Sequence, residues 1–417
     1  MLPSALELLP RRGLGVLLCA LGASACAAKP APPPAIPTAS NAALVAPPPI
    51  NAAAAPGCGS KIEAACHDVP KPKDAEPPPA AQAAKPDPAS EPAVKPAAPV
   101  GLSHGSESPL DVELSAGDRA YDADDLAAAK LHYEKASRLA PKDPAPRVGL
   151  VRVALAQSGI ATDYAIAPKN PKITALLKQT DAALKLDPNY APAHVERGRL
   201  LLILGSAPDA LSSLERATAL APDDAEAQSA LGVALLATGK ASEALTHFKR
   251  AAELDRDNPD RLTNLGTAEL IQGQVTDAIA SFSRAATLAP DDPRVHGDLG
   301  AAYLANNRPD QALPELNRAV ALAPERATFL SNLAYAYFAT GKLDDAIATA
   351  KKASELDPKL GSAFINLGTA LAKKGDLDGA ERAFKKALAL DPSDPRAKAN
   401  LSDLQELRTK TRPPDSK

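Results

Sequence analysis

The sequence has few of the large side chains that usually fill a protein core. Its 417 residues include no tryptophan and one methionine, and only 3% of them are aromatic. A globular enzyme core of this length normally uses such residues to fill irregular gaps. Because 45% of the residues are nevertheless apolar, alanine, leucine and valine must supply most of the packing. This composition favours close-packed, regular helices.

The sequence also lacks an excess of charge. The formal net charge is −3, so the chain lacks the excess of positive charge that is typical of proteins that bind nucleic acid. Proline, in contrast, is abundant at 42 residues. Since proline is excluded from helix interiors, the composition predicts a mosaic of helical and non-helical segments, and we expect no nucleic-acid partner.

Residues 1–25 read as a secretory signal peptide. Two arginines precede the apolar run 13–22, which is too short to span a bilayer as a permanent helix. Small residues lead directly to Cys26, an arrangement that resembles the bacterial lipobox, in which this cysteine carries the lipid. We expect lipid attachment at Cys26; plain secretion and an uncleaved anchor are the alternatives.

Two further cysteines follow the signal. Cys58 and Cys66 form an even pair, which in an oxidising compartment most simply closes a small disulfide loop. A metal site that includes His67 is the alternative, although it offers only three soft ligands.

Residues 26–109 are rich in proline and alanine and show no apolar periodicity. Proline runs favour extended polyproline II segments, and a segment without core-forming residues is expected to be disordered. We interpret it as a tether that holds the following domain away from a membrane. A docking site for other proteins is the alternative.

From residue 191 onward the sequence repeats every 34 residues. We call a set of residues that recur at this spacing a column. One column is mostly glycine, others are alanine, and one holds bulky residues. The first column holds Gly198, Gly232, Gly266, Gly300, Ala334 and Gly368, and the bulky one holds Leu214, Phe248, Phe282, Leu316, Ala350 and Phe384. Small residues fit the closest crossing of two helices, so each block predicts a helix pair joined by a Gly or Asn turn.

This pattern resembles the tetratricopeptide repeat (TPR), in period, in small and bulky columns and in terminal proline, over residues 191–394. The resemblance implies an all-α fold, a right-handed superhelical solenoid. The same spacing at Gly117 and Tyr133 extends it towards the N-terminus. We therefore predict about eight repeats over residues 110–394, with an insertion in the second repeat near 159–171. A capping helix at 395–410 and a disordered tail at 411–417 complete the prediction.

No catalytic constellation stands out. The sequence has no Walker-type loop, no nucleophile elbow and no zincin helix. Four of its six histidines occupy equivalent repeat positions in pairs, His132 with His247 and His194 with His296, which explains them better than metal ligation does. We expect no enzymatic activity, no cofactor, no metal site and no small-molecule substrate.

In proteins that this chain resembles, the first helices of successive repeats line a concave groove. Three amides stand nearly in register there, and three neighbours lie one turn further along: Asn264, Asn332 and Asn366, with Thr267, Tyr335 and Thr369. Such amides could hydrogen-bond the backbone of an extended peptide. The alternative is that they are ordinary polar residues on exposed helices. A terminal-carboxylate clamp is not expected, because Thr263, Ser331 and Ile365 stand where relatives of that type have lysine.

The sequence thus predicts a protein of the bacterial cell envelope, either an outer-membrane lipoprotein or a periplasmic protein. We expect an exported, lipid-anchored scaffold that binds envelope proteins or peptides through the groove and contacts the membrane through its N-terminal lipid. The alternative is a soluble secreted or periplasmic module that binds carbohydrate or cell-wall polymer.

Overall fold

The computed structural model describes residues 101–160 and 167–411. The predicted signal peptide, Cys26, the Cys58 and Cys66 pair and the linker up to residue 100 lie outside these ranges. Residues 412–417 of the predicted tail also lie outside them.

Every regular element in the described part of the chain is an α-helix, and there are seventeen of them. They are α1 (Pro109–Asp122), α2 (Leu126–Leu139), α3 (Ala145–Gln157), α4 (Pro171–Leu186), α5 (Ala191–Ile203), α6 (Ala207–Leu220), α7 (Ala225–Ala237), α8 (Ala241–Leu254), α9 (Pro259–Ile271), α10 (Val275–Leu288), α11 (Pro293–Ala305), α12 (Pro309–Leu322), α13 (Ala327–Ala339), α14 (Leu343–Leu356), α15 (Gly361–Lys374), α16 (Leu377–Leu390) and α17 (Pro395–Thr411). The prediction of an all-α repeat solenoid is confirmed. Among the described residues, no helix combines the length and apolarity needed to cross a bilayer.

Local sequence signals set the helix boundaries. Between the two helices of a pair, Gly239 has φ +80° and Asn307 has φ +53°, a left-handed conformation that glycine and asparagine adopt most readily. Between pairs, the side chain of Asp224, Asn258 or Asp292 accepts a hydrogen bond from a backbone N–H in the first turn of the next helix. These caps satisfy amides that the helix itself leaves free.

Within a pair, the two helices touch where a small residue faces a bulky one. A Cβ atom added to Gly232 would lie 2.7 Å from the ring of Phe248, which is completely buried. In α13 the glycine is replaced by Ala334, and the facing position in α14 holds the small Ala350. The same contact recurs between Gly117 and Tyr133, Gly198 and Leu214, Gly266 and Phe282, Gly300 and Leu316, and Gly368 and Phe384. The close approach of the two helices therefore depends on the combined size of the two facing side chains.

The stacking of pairs places the first helices on the inside of the curve. Each second helix packs against the first helix of its own pair and the first helix of the next. First helices also contact first helices of neighbouring pairs, as α13 does with α15, whereas among the described residues second helices are not packed against one another to a comparable extent. A stack that is tighter on one side bends towards it, so the first helices form the inner layer.

The second pair differs from the others. Thirteen residues, 158–170, connect α3 to α4, whereas three residues connect α5 to α6. The backbone N–H of Ala167 donates to the carbonyl of Ile203, at 3.2 Å, so the far end of this connection is fixed to α5. At the other end of the solenoid, α17 packs on α16 and buries Leu404 completely beside Phe384.

A pair of glycines in α15 tests the packing constraint. A Cβ at Gly368 would lie 2.6 Å from the buried ring of Phe384, whereas Gly361 has no neighbour within 4 Å. We expect Gly368→Ala to lower the free energy of unfolding by about 1–3 kcal/mol through overpacking. Gly361→Ala is the matched control and should be neutral or stabilise by up to about 1 kcal/mol. Urea unfolding followed by circular dichroism measures both, and equal effects would contradict the proposed constraint.

Candidate functional site

The inner layer presents the same helix positions once in every repeat. The sixth residue of each first helix faces this layer, and from α9 onward it forms what we call the asparagine column. Its members are Asn264, Asp298, Asn332, Asn366 and Asn400. All five are buried between neighbouring first helices.

The predicted groove residues lie on α9, α13 and α15, and the structure buries all six. Exposure ranges from 1% for Asn264 to 9% for Tyr335 and Asn366. Asn332, Thr267 and Thr369 lie between these values. The first helices approach one another so closely that side chains at these positions face the neighbouring repeat as much as the groove.

The buried amides bond between repeats. The Asn264 side-chain amide donates to the hydroxyl of Ser229, at 3.0 Å, across 35 residues. Asn366 makes the equivalent contact three repeats later, donating to the carbonyl and the hydroxyl of Ser331 at 2.9 and 3.1 Å. These two amides therefore hold neighbouring first helices together, and a bound peptide would have to compete for them.

Within the part of the chain that the structure describes, two side chains of the asparagine column have polar atoms without a hydrogen-bond partner. Asp298 Oδ1 and Asn332 Nδ2 are both buried and have no hydrogen-bond partner among the described residues. Burial raises the pKa of Asp298 to about 7, and the neighbouring Asp292 carboxylate adds to the effect, whereas Arg294 and Arg326 oppose it. A protonated Asp298 resembles asparagine in shape and hydrogen-bonding groups, so the protonated form fits the column best.

Towards the N-terminus the inner layer carries charges instead of amides. We call Arg152, Glu196, Arg199, Glu226 and Arg261 the charge ladder, because each contacts the next in alternating sign across α3, α5, α7 and α9. Arg152 Nε lies 2.7 Å from Glu196 Oε1, and Arg199 lies 3.4 Å from Glu226. Burial alone would raise the pKa of Glu226, but the two flanking guanidinium groups outweigh it and lower that pKa to about 2.

Sequence reasoning missed the charge ladder, although a signal was present. Glu196 is the sixth residue of α5 and thus occupies the position that Asn264 holds two repeats later. Arg199 lies one turn later on the same helix, whereas Arg152 lies on α3, 44 residues before Glu196, so no fixed 34-residue interval links the charge ladder. The stacking of repeats brings its members on different helices together.

Aromatic side chains concentrate on the same layer further along. Tyr335 and Phe338 lie one turn apart on α13, and their rings stack with centroids 6.3 Å apart. Phe338 is half-buried. The half-buried Phe338 gives the inner face an apolar surface on the same helix as Asn332.

Comparison with known proteins identifies the repeat. A tetratricopeptide repeat model matches residues 177–225, 195–260, 229–293 and 298–360, and a second model of that repeat matches residues 361–394. Together these matches cover just over half of the chain. The chain belongs to the tetratricopeptide repeat family. No curated protein matches its sequence.

One solved structure is similar over most of the chain, and two others are similar over about half of it. A chain of the APC/C hetero-tetramer Cut9–Hcn1 has 17% identical residues and a TM-score of 0.56 over 72% of the present chain, which spans 57% of that longer chain. MamA from Desulfovibrio magneticus RS-1 has 28% identity over 41% of this chain and 97% of its own, with a TM-score of 0.37. PilF from Pseudomonas aeruginosa has 20% identity over 53% of this chain and 97% of its own, with a TM-score of 0.45.

The histidines of the TPR helices belong to contacts within repeats. His247 Nδ1 lies 2.7 Å from the side-chain oxygen of Gln228, and His296 Nδ1 lies 2.7 Å from Glu315. Both contacts join the two helices of one pair. Within residues 101–160 and 167–411, no group of three or more His, Cys, Asp or Glu side chains could hold a metal ion.

Asp298→Asn tests the centre of the asparagine column. The folded-state pKa of about 7 exceeds the ordinary 3.8, so between these values the folded protein holds a proton that the unfolded chain releases. Stability conferred by the wild-type residue is therefore full below about pH 4 and falls as the pH rises towards 7. We expect the variant to be more stable than the wild type by about 1–4 kcal/mol at pH 8 and unchanged at pH 4.

Urea unfolding at the two pH values measures this difference. Glu325→Gln, in an exposed turn of the same repeat stack, is the control and should change stability little at either pH. A variant whose stability followed the wild-type pH dependence would show that Asp298 is not the group responsible.

Proposed function

We propose that this protein is an exported, lipid-anchored scaffold whose TPR solenoid binds other cell-envelope proteins through its inner face. The coarser part of this statement rests on the family: TPR repeats form scaffolds for protein–protein interaction. The observation that carries the proposal is a continuous inner layer in which charged and amide groups of neighbouring repeats contact one another and α13 adds an aromatic pair.

The chemistry of the inner face favours an extended protein segment as the ligand. Phe338 supplies a half-buried apolar contact beside Tyr335. Arg294 is one-third exposed and lies within 3.2 Å of Asp260 on the preceding first helix. Aromatic and charged side chains on neighbouring first helices can take up a chain that alternates apolar and polar residues, with backbone groups held by side chains.

The export part of the proposal is supported by sequence. Residues 1–25 have the pattern of a signal peptide, and Cys26 stands where a lipobox has its modified cysteine. The proline-rich segment that follows would let the solenoid reach partners away from the membrane surface. A scaffold tethered in this way meets envelope proteins at high local concentration.

Metabolic labelling with a fatty acid tests the anchor. We expect label on the wild-type protein and none on Cys26→Ala, because only a cysteine thiol at the cleavage site can accept the lipid. Cys58→Ala is the control and should keep its label. A protein without label, or label that survives Cys26→Ala, would contradict lipid attachment at Cys26.

Site-directed photocrosslinking in intact cells tests the inner face. A photoreactive amino acid at Phe338, on the inner layer, should yield a discrete protein adduct. The same group at Leu356, which is 42% exposed at the end of a second helix, is the matched outer control and should not. Adducts from Leu356 alone would place the partner elsewhere, and a Phe338 adduct that is removed by glycan hydrolases would favour a carbohydrate or cell-wall polymer.

A further inference from the structure

The last residues of the predicted linker are packed against the solenoid. Composition predicts disorder up to residue 109, but the structure differs over residues 101–108, which we call the strap. Leu102 is only 1% exposed and belongs to the core cluster that includes Leu114 of α1 and Val148 of α3. A single leucine in an otherwise small and polar segment thus anchors it in the first repeats.

Side chains of the solenoid hold both backbone groups of Leu102. Its N–H donates to Asp118 Oδ2, at 2.7 Å, and its carbonyl accepts from the hydroxyl of Tyr190, at 3.3 Å. Asp118 lies on α1, and Tyr190 precedes α5. The backbone of the strap at Leu102 is therefore held from two repeats at once.

The approach is too close for a larger residue before Leu102. A Cβ on Gly101 would lie 2.6 Å from Asp118 Oδ2. Glycine at this place allows the backbone to reach the carboxylate, and Leu102 then fills the pocket. The pair Gly-Leu is thus a recognition element as well as the end of the linker.

Two residues on, the strap makes a second set of contacts. The backbone N–H of His104 donates to Asp111 Oδ1, at 2.7 Å. Its ring nitrogens lie 3.1 Å from Asp111 and 3.6 Å from Asp143, which precedes α3. Ser106 N–H donates to the other Asp111 oxygen, at 3.2 Å. Asp111 is almost fully buried under the strap.

We propose that the inner face of the first three repeats is a peptide-binding site that the strap occupies in cis. The site takes a segment of the pattern Gly-Leu-x-His. An apolar pocket receives the leucine, Asp118 and Tyr190 hold its backbone, and Asp111 and Asp143 receive the histidine. The linker is thereby fastened to the inner face and closes these repeats to other chains. Strap binding uses repeats 1 to 3 alone, so it does not depend on partner binding near Phe338.

A tethered ligand has a large advantage over a free one. Only a few residues separate His104 from the start of α1, and short connections give effective concentrations of about 1 mM or more. The wild-type protein should therefore resist a free peptide of the same sequence at micromolar concentration. Loss of the leucine anchor should remove that resistance.

Trans-binding to the full-length protein tests the site. The probe is a fluorescent peptide of residues 97–108, and the readout is fluorescence anisotropy. We expect it to bind Leu102→Asp at least tenfold more tightly than the wild type, because the variant's own strap cannot fill the apolar pocket. A probe peptide with aspartate in place of leucine should not bind either protein.

Two further variants define the site. Adding Tyr190→Phe to Leu102→Asp removes only the hydroxyl group that donates to the leucine carbonyl, and should weaken peptide binding several-fold. Val112→Asp, at a position on α1 that is 58% exposed, is the matched control and should bind no more peptide than the wild type does. A helical Leu102→Asp protein that fails to bind the peptide would overturn the proposal.

Hydrogen exchange of the unmodified protein gives a second readout that needs no variant. If the strap is a releasable ligand, amides of residues 101–108 exchange at least tenfold faster than those of the central turns of α1, because the strap opens without unfolding of the repeat. Exchange of both segments at one common rate would show that the strap is a fixed part of the first repeat, and would likewise overturn the proposal.

Discussion

The contact between a small residue on one helix and a bulky residue on its partner governs the whole molecule. Gly232 admits the ring of Phe248 at a distance that no side chain at that place would allow. Because the same match recurs in pair after pair, the spacing within pairs is nearly constant and the pairs stack regularly. The exchange to Ala334 and Ala350 keeps both members small. Few aromatic residues suffice because each one fills a defined gap.

Close packing decides the chemistry of the inner face. Since neighbouring first helices contact each other, polar groups there are largely removed from water and must find partners within the stack. The amides of Asn264 and Asn366 bond to the preceding repeat, and in the charge ladder each glutamate lies between two arginines. Asp298 is the one carboxylic acid in the asparagine column, and burial raises its pKa to about 7. Side chains of the inner face therefore hold neighbouring repeats together, and the same face is the candidate surface for partners.

The strap connects the solenoid to the segment before it. Leu102 is bound through its side chain and both backbone groups, which is the kind of recognition proposed for a partner on later repeats. The strap thus contacts both the first repeat, through Asp118, and the start of the third, through Tyr190.

The amino-acid sequence by itself determined the helix pairs, the turns and the all-α solenoid. Glycine, alanine and bulky columns repeat at a fixed interval, and each column reports a contact within one repeat unit. Tertiary structure alone decided that Asn264 and Asn366 are buried, that Glu196 joins Arg152, and that Leu102 is bound. These contacts depend on how closely successive repeats approach and how the stack curves. That geometry arises from packing between units, and no pattern within a single unit encodes it.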